Sequence, residues 1–264
     1  MSSENPYSPP EARVEDMVPA GASGGTLADG IAGRYDFSME DVFKEAWRRT
    51  EGMKGAFWAA AIVIIIAMTA VGVLLEFVLG SPPDDPEAVM TAGQLASGFA
   101  KQLISSGVSY PLMAGLLMIG VRRSVDLPVS THTAFSYFNH AVPLFVVGLL
   151  TALLTYVGFL LLLLPGVYLM VAYILVVPLV TDKGLGPWHA MEASRRAITR
   201  RWFKVFLVLL VTSLILLVSA IPLLIGLIWS YPWAINVIGV LYREIFGVEA
   251  AREGHGSAGA TIAG

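Results

Sequence analysis

The stretch FLLLLLPGVYLMVAYILVVPLV, residues 159–180, decides how this chain folds. It contains no charged residue, and its only conspicuous breaks are Pro165-Gly166 and Pro178. Proline removes a backbone donor and clashes with the preceding helical turn, whereas glycine tolerates left-handed backbone. The stretch is therefore either one membrane span or the turn between two spans.

The composition is that of an integral membrane protein. Of 264 residues, 56% are hydrophobic and 14% are charged, and the mean hydropathy is +0.70. A soluble domain is usually about 25% charged. Cysteine is absent, which excludes disulfides and thiolate metal sites. The first 36 residues contain no short apolar segment, so no cleavable signal peptide is expected.

Apolar blocks cover residues 56–80, 104–121, 141–180 and 203–242. As single helices the last two would reach about 60 Å, twice the thickness of a hydrocarbon core of about 30 Å. Each is expected to fold back, the first at Pro165-Gly166 and the second within residues 219–226. The prediction is an all-α, polytopic protein with six transmembrane helices arranged as three hairpins, at about 56–80, 104–121, 141–164, 167–181, 203–220 and 224–242.

The distribution of Lys and Arg supports this count independently. Sixteen of the 17 basic residues fall on one side of a six-span arrangement, and only Lys101 falls on the other. Short cytoplasmic loops carry an excess of positive charge, so both termini are expected in the cytoplasm. The arginine clusters on either side of residues 159–180 favour the hairpin over a single span.

Polar segments flank the spans. Residues 1–36 and 249–264 are predicted to be flexible cytoplasmic tails, and residues 37–248 the membrane domain. A helix over 38–54, capped by Ser38, and a second over 187–202 are amphipathic and are expected to lie at the cytoplasmic interface. Arg195 interrupts the apolar stripe of the second helix, so it must extend to the surface or pair with Glu192.

Both interfacial segments contain the pattern Glu-Ala-x-Arg-Arg, at residues 45–49 and 192–196. A weaker counterpart precedes span three, at residues 130–140. This indicates three units of interfacial helix plus hairpin, with a true sequence repeat left open. Because each arginine beside an anionic leaflet contributes about 1 kcal/mol, the basic segments predict contact with lipid headgroups. The candidate residues are Arg48, Arg49, Arg195, Arg196, Arg200 and Arg201.

No catalytic, metal or cofactor pattern is evident. The four histidines form no metal-binding motif, and there is no phosphate loop or dinucleotide fingerprint. The sequence predicts no enzyme, no cofactor and no nucleic-acid partner. Pro111 and Pro232 lie deeper in their spans than the other prolines, each after a tyrosine, and are candidates for kinks that would serve a transport site.

The run GFLLLLLPGVYLMVAYILVVPLVTDKGLGPWHAMEASRR, residues 158–196, carries a family likeness. It resembles an uncharacterised family of bacterial inner-membrane proteins related to the membrane domain of glycerophosphoryl diester phosphodiesterase. The matching residues include Pro165-Gly166, Tyr168, Pro178 and Asp182. The resemblance implies a six-span helical protein of the bacterial inner membrane, and the soluble catalytic domain of the phosphodiesterase has no counterpart here.

The leading hypothesis is a non-enzymatic membrane protein that organises or senses the anionic cytoplasmic leaflet. A protein partner or a second copy of the chain is left open. The alternative is a transporter or channel for a neutral or amphipathic solute, using Pro111 and Pro232.

Overall fold

The computed structural model describes residues 24–80 and 91–249, and within these ranges the only regular secondary structure is helical. Short 3₁₀ helices occupy Thr131–Phe135 and Phe138–His140. The α-helices are α1 (Leu27–Ala32), α2 (Met39–Thr50), α3 (Lys54–Leu79), α4 (Ala92–Arg123), α5 (Ala141–Leu161), α6 (Leu163–Ala172), α7 (Val176–Lys183), α8 (Pro187–Arg200), α9 (Trp202–Ala220) and α10 (Leu227–Phe246).

Five helical segments of the described chain are long and apolar enough to cross a membrane. They are Lys54–Leu79, Ala92–Arg123, Thr131–Leu161, Leu163–Lys183 and Trp202–Ala220. The protein therefore has the composition and helix lengths of a multi-pass membrane protein. Helix α10, which corresponds to the predicted sixth span at 224–242, is not among the five, and most of its C-terminal half is buried inside the protein.

Helices α3 and α4 form an antiparallel pair. At one end, Arg123 Nη2 donates to the Glu51 carbonyl, just before α3 begins (3.0 Å). At the other, Lys101 Nζ pairs with Glu76 Oε2 (2.8 Å). The one basic residue on the predicted outer side thus has an acidic partner on the neighbouring helix. Helix α4 starts twelve residues earlier than the predicted span at 104–121.

The reversal between α5 and α6 lies at Leu162, three residues before the predicted turn at Pro165-Gly166. Pro165 and Gly166 instead lie at the start of α6. N–H groups in the first turn of a helix have no intrahelical acceptor, so the missing N–H of Pro165 costs no hydrogen bond there. Gly166 has helical backbone angles, which any residue could adopt, so the backbone conformation does not explain why glycine occupies this position. A Cβ there would lie 2.4 Å from the Phe159 ring, and one on Gly158 3.0 Å from the Gly166 Cα. These glycines let α5 and α6 approach closely.

The predicted fourth span, 167–181, is interrupted by residues 173–175, which separate α6 from α7. Pro178 explains the break. Its ring clashes with the carbonyl four residues earlier, that of Ile174, and it offers no N–H to that carbonyl. The Ile174 and Val176 N–H groups instead form shorter-range bonds to the Val171 and Tyr173 carbonyls (3.3 and 3.2 Å).

The turn between α9 and α10 occupies residues 221–226, within the predicted 219–226. Leu223 and Leu224 adopt positive φ (51° and 67°). The two prolines proposed as kinks, Pro111 and Pro232, lie inside the continuous helices α4 and α10, and both are buried.

Helix α10 is the centre of the larger hydrophobic core. It contacts α2, α4 and α9, and burial is complete or nearly so from Val237 to Phe246 apart from Ile238 and Glu244. Its crossing with α4 is close because both helices have glycine there. A Cβ on Gly239 would lie 2.3 Å from the Gly120 carbonyl oxygen.

The N-terminal segment differs from its prediction. Residues 24–36, expected to belong to a flexible tail, include α1, which packs against α8 and α10. Gly30 permits this, because a Cβ there would lie 2.7 Å from the Ile245 carbonyl oxygen. The predicted cap of α2 is confirmed, since Ser38 Oγ accepts from the Asp41 N–H (3.3 Å). Of the predicted tails, residues 1–23 and 250–264 lie outside the described residues, as does the segment 81–90.

Candidate functional site

Helix α8 presents Arg196 and Arg200 on the side opposite its buried face, and half-buried Arg195 lies beside that face. Pro187 at its first position is favourable because its φ is already helical. The spacing of small and apolar residues then places one face inside the protein, while the arginines lie on the other sides. The buried residues are Ala190, Met191, Ala193, Ser194, Ala197 and Ile198. Ser194 Oγ donates to the Ala172 carbonyl (2.7 Å), which fixes α8 against the end of α6.

Three of the predicted arginines line one cleft of about 450 Å³, together with Thr199 and Ile31 of α1. This group, Arg195, Arg196 and Arg200, is called the arginine cleft below. Their spacing along a helix predicted that these arginines would lie close together. It did not predict that α1 would form the facing wall, because α1 lies in the segment expected to be flexible.

Glu192 partly neutralises the arginine cleft. Arg195 donates to it through Nε and Nη2, each at 2.9 Å, and Arg196 through Nε at 2.6 Å. Of the two alternatives predicted for Arg195, the pairing with Glu192 is therefore the one confirmed. Hydrogen bonds from Arg195, and then from Arg196, hold the pKa of the Glu192 carboxyl below its usual range. Glu192 remains ionised, and one carboxylate balances one of three guanidinium groups.

Arg200 contributes the least compensated charge. Its side-chain carbons pack on Gly33, where a Cβ would lie 2.6 Å from the Arg200 Cγ. No carboxylate pairs with its guanidinium among residues 24–80 and 91–249. Three arginines against one glutamate leave two positive charges in the arginine cleft. A cleft with this charge suits a phosphate monoester or diester group.

Arg201 is held by the N-terminal segment. Its Nη1 lies 3.3 Å from Asp36 Oδ1, and its guanidinium carbon is 5.9 Å from the centre of the Tyr35 ring. The Asp36 carboxyl also accepts from Lys204 (2.6 Å). The Lys204 hydrogen bond is the main cause that lowers the pKa of Asp36. Tyr35 donates to the Ala197 carbonyl (2.9 Å), and burial raises its pKa to about 12.

The two candidates in α2 have opposite environments. Arg48 is exposed, with its nearest carboxylate, Glu45, at 4.0 Å. Arg49 is buried, with Nε on Glu45 (2.8 Å) and Nη1 on Asp126 (2.8 Å). The interior of the protein thus occupies the Arg49 guanidinium, and lipid headgroups would not reach it.

A buried ion network around Glu45 was not predicted from the sequence. Arg243 of α10 donates to both Glu45 oxygens (2.6 and 2.7 Å) and to the Ser124 carbonyl (2.6 Å). Glu244 also accepts from Arg243 (2.5 Å). This network ties α2, α4 and α10 together. Its partners are up to 198 residues apart, and the only local signal is the i to i+4 pair of Glu45 and Arg49.

A second buried cluster surrounds Asp182. Its carboxylate accepts from the Tyr242 hydroxyl (2.8 Å) and from the Glu249 N–H (3.1 Å). Lys183 pairs with Glu249 (2.8 Å). These contacts fasten the end of α7 to the end of α10, so Asp182 has a structural role.

Asn236 is buried in α10, and its amide nitrogen donates to the Ala46 carbonyl (3.3 Å) and to Thr50 Oγ1 (3.1 Å). These bonds join α10 to α2. Thr151 and Thr212 instead donate to carbonyls of their own helices, those of Val147 and Val208 (2.7 Å each).

Within the described part of the chain, no three His, Asp or Glu side chains are grouped so as to hold a metal ion. A cleft of about 590 Å³ lies between α4, α5 and the α6–α7 segment, and Tyr110, Thr151 and Thr155 are among its lining residues. Tyr231 instead packs against Phe57 of α3, with ring centres 5.9 Å apart. The two Tyr-Pro pairs therefore do not meet at one site.

Comparison with protein-family models, with curated proteins and with solved structures found no match for this chain.

Proposed function

We propose that this protein is a non-enzymatic, multi-pass protein of the bacterial inner membrane that binds anionic phospholipid headgroups on the cytoplasmic side. The observation that carries the proposal is the arginine cleft, where two positive charges remain after Glu192 is counted. Exposed Trp188 on the same helix supplies an interfacial anchor, because tryptophan is enriched at headgroup depth. The family resemblance agrees with this setting and adds no activity.

The orientation belongs to the same proposal. Lys and Arg cluster in and beside α2 and α8. This supports a cytoplasmic location for these two helices and for both termini. The proposal retains the three predicted hairpins and the two interfacial helices. It sets the third hairpin, α9–α10, at a different depth from the six-span prediction.

The test compares two double variants that each remove two charges. Arg196→Gln with Arg200→Gln alters the arginine cleft and spares Arg195, which pairs bidentately with Glu192. Arg34→Gln with Lys44→Gln removes two exposed charges that each already pair with a carboxylate, Asp29 and Glu40, and is the matched control. Retention of phosphatidylglycerol is measured by native mass spectrometry, and binding by titration with vesicles containing phosphatidylglycerol.

At about 1 kcal/mol per arginine, the cleft variant should bind anionic lipid roughly 30-fold more weakly. The control should lose little. Equal losses in both variants would indicate attraction by the whole basic surface, and unchanged binding in the cleft variant would exclude the site. Millimolar inorganic phosphate serves as a competitor, because a site for free phosphate would release lipid when phosphate is added.

Transport of a neutral or amphipathic solute is the second candidate, and the cleft beside Tyr110 favours it. Gly148 is essential to the shape of this cleft, since a Cβ there would lie 2.1 Å from the Tyr110 ring. Flux of a neutral solute into liposomes, with Gly148→Leu as the blocked variant, tests this function. Flux that is absent, or equal in both proteins, would exclude it.

A further inference from the structure

The position of α10 relative to α3 and α4 conflicts with a transmembrane course. The hydrogen bond from Arg123 to the Glu51 carbonyl sets the end of α4 and the start of α3 at one level. Trp58 is the fifth residue of α3, about 6 Å from its start. Its Nε1 donates to the carbonyl of Ile228, the second residue of α10 (3.0 Å). The beginning of α10 therefore lies close to this end of the α3–α4 pair.

The middle of α10 lies at the same level. A Cβ on Gly239 would be 2.3 Å from the carbonyl oxygen of Gly120, which is three residues, about 4.5 Å, from the end of α4. Ile228 and Gly239 are separated by about 16 Å along their helix. A helix running parallel to α3 would change depth by that distance. Both residues instead contact residues that lie within about 6 Å of the same end, so α10 runs across the ends of α3 and α4.

Helix α2 gives an independent measure of the same level. Trp233 Nε1 donates to the Phe43 carbonyl (3.3 Å), so the first half of α10 also touches a helix whose outer face is charged. A cleft of about 650 Å³ is lined both by Lys44 and Trp47 of α2 and by Ser219 and Gly226 at the α9–α10 turn. The turn and the exposed Lys44 of α2 therefore lie on opposite sides of a single cleft.

The turn itself is built for an apolar medium. Its residues, Ile-Pro-Leu-Leu-Ile-Gly at 221–226, include no polar side chain, and the exposures of its Leu and Ile residues range from 54% to 88%. The N–H groups of Ile221, Leu223, Leu224 and Ile225 all donate to carbonyls within the hairpin, at 2.8 to 3.2 Å. Backbone donors in hydrocarbon need such partners, whereas a turn facing water usually carries polar residues.

We infer that the α9–α10 hairpin does not cross the bilayer, and that residues 221–226 are inserted among the acyl chains of the leaflet that contacts α2. The occupant of this exposed apolar surface is phospholipid hydrocarbon from one side of the membrane only. The protein then displaces more lipid in that leaflet than in the other. The identification of this leaflet as the cytoplasmic one rests on the proposed function. The insertion of the turn into one leaflet is independent of that orientation.

Accessibility of single cysteines tests the inference, and the chain has no native cysteine to remove. Ile221→Cys and Ile225→Cys report on the turn. Thr91→Cys, exposed at the start of α4, is the control for the far side of the membrane, and Glu40→Cys, exposed on α2, for the near side. A membrane-impermeant maleimide is added to one side of sealed vesicles, and nitroxide labels are examined for collision with oxygen and with a water-soluble nickel chelate.

We expect the turn positions to react at least tenfold more slowly than Thr91→Cys from the far side, and than Glu40→Cys from the near side. Nitroxides at the turn should collide preferentially with oxygen, as expected in hydrocarbon. Fast labelling at the turn from the far side would establish a complete span and overturn the inference, as would preferential collision with the nickel chelate. Binding of phosphatidylglycerol by the same variants is measured in parallel. Because it depends on the arginine cleft, the two proposals fail separately.

Discussion

Helices α2 and α8 contain the same pattern, Glu-Ala-x-Arg-Arg, but use it differently. In both, the helical repeat brings arginine beside glutamate. In α2, Glu45 is drawn into the protein by Arg243 of α10, and Arg49 is buried with it. In α8, Glu192 pairs only with arginines of its own helix among the described ion pairs, and Arg196 stays exposed. The comparison shows that an identical local signal becomes structural where another helix covers it and remains available for binding where none does.

Breaking the buried network should have the largest effect. Arg243→Gln removes the bidentate partner of Glu45 and leaves a carboxylate in a confined site. Loss of one partner of a buried pair costs about 3 to 5 kcal/mol. We expect a large fall in the unfolding temperature, measured by tryptophan fluorescence in detergent micelles.

Arg196→Gln is the matched change in α8, at an exposed ion pair whose contribution is below about 1 kcal/mol. It should leave the unfolding temperature nearly unchanged. If the two variants were equally destabilised, the distinction drawn between α2 and α8 would be wrong.

The pH dependence of stability should separate the two glutamates. Burial by itself raises the pKa of Glu45, but the hydrogen bonds and charges of Arg243 and Arg49 outweigh it and hold this pKa below its usual range. Such a group stabilises the folded state above its unfolded pKa, near 4.3, and this contribution is lost as the pH falls through the folded-state pKa.

Unfolding temperatures of the wild type should therefore decline between about pH 5 and pH 3, and Glu45→Gln should flatten that part of the curve. Glu192→Gln should change the slope much less, because Glu192 is more exposed and solvent screens its pairs. An unaltered slope in Glu45→Gln would show that another group governs acid unfolding.

The smallest expected effect concerns the variable position of the pattern. In α8 this residue is Ser194, whose buried hydroxyl donates to the Ala172 carbonyl, and Ser194→Ala should cost about 1 kcal/mol. In α2 it is Trp47, which is 59% exposed. Trp47→Ala should change the free energy of unfolding by less than about 0.5 kcal/mol. Chemical denaturation in micelles measures both, and the reverse order would contradict the assignment of faces.

Local features of the fold were predictable where the signal spans a few residues. The Ser38 cap, the pairing of Arg195 with Glu192 and the general position of the turn near Pro222 follow from contacts within one or two helical turns. The α5–α6 reversal was misplaced by three residues, because Gly166 is required by the neighbouring Phe159 ring, and no pattern along the chain reports that contact.

The candidate site was only half predictable. Helical periodicity gathers Arg196 and Arg200 on α8, whereas the wall contributed by Ile31 depends on α1 docking through Gly30 against α10. The exclusion of Arg49 from the lipid-facing group likewise depends on Glu45 and Asp126, which only the folded chain brings to it.

The sequence alone determined that this is a helical membrane protein with basic segments beside its apolar blocks, since hydrophobic transfer and charge act locally on each segment. Tertiary structure decided which arginines are buried, and it gives α10 its course across the ends of α3 and α4. The physical reason is that burial depends on what covers a residue. The sequence predicted a sixth span at 224–242, yet Asn236 and Arg243 of α10 find their partners in α2 and at the end of α4.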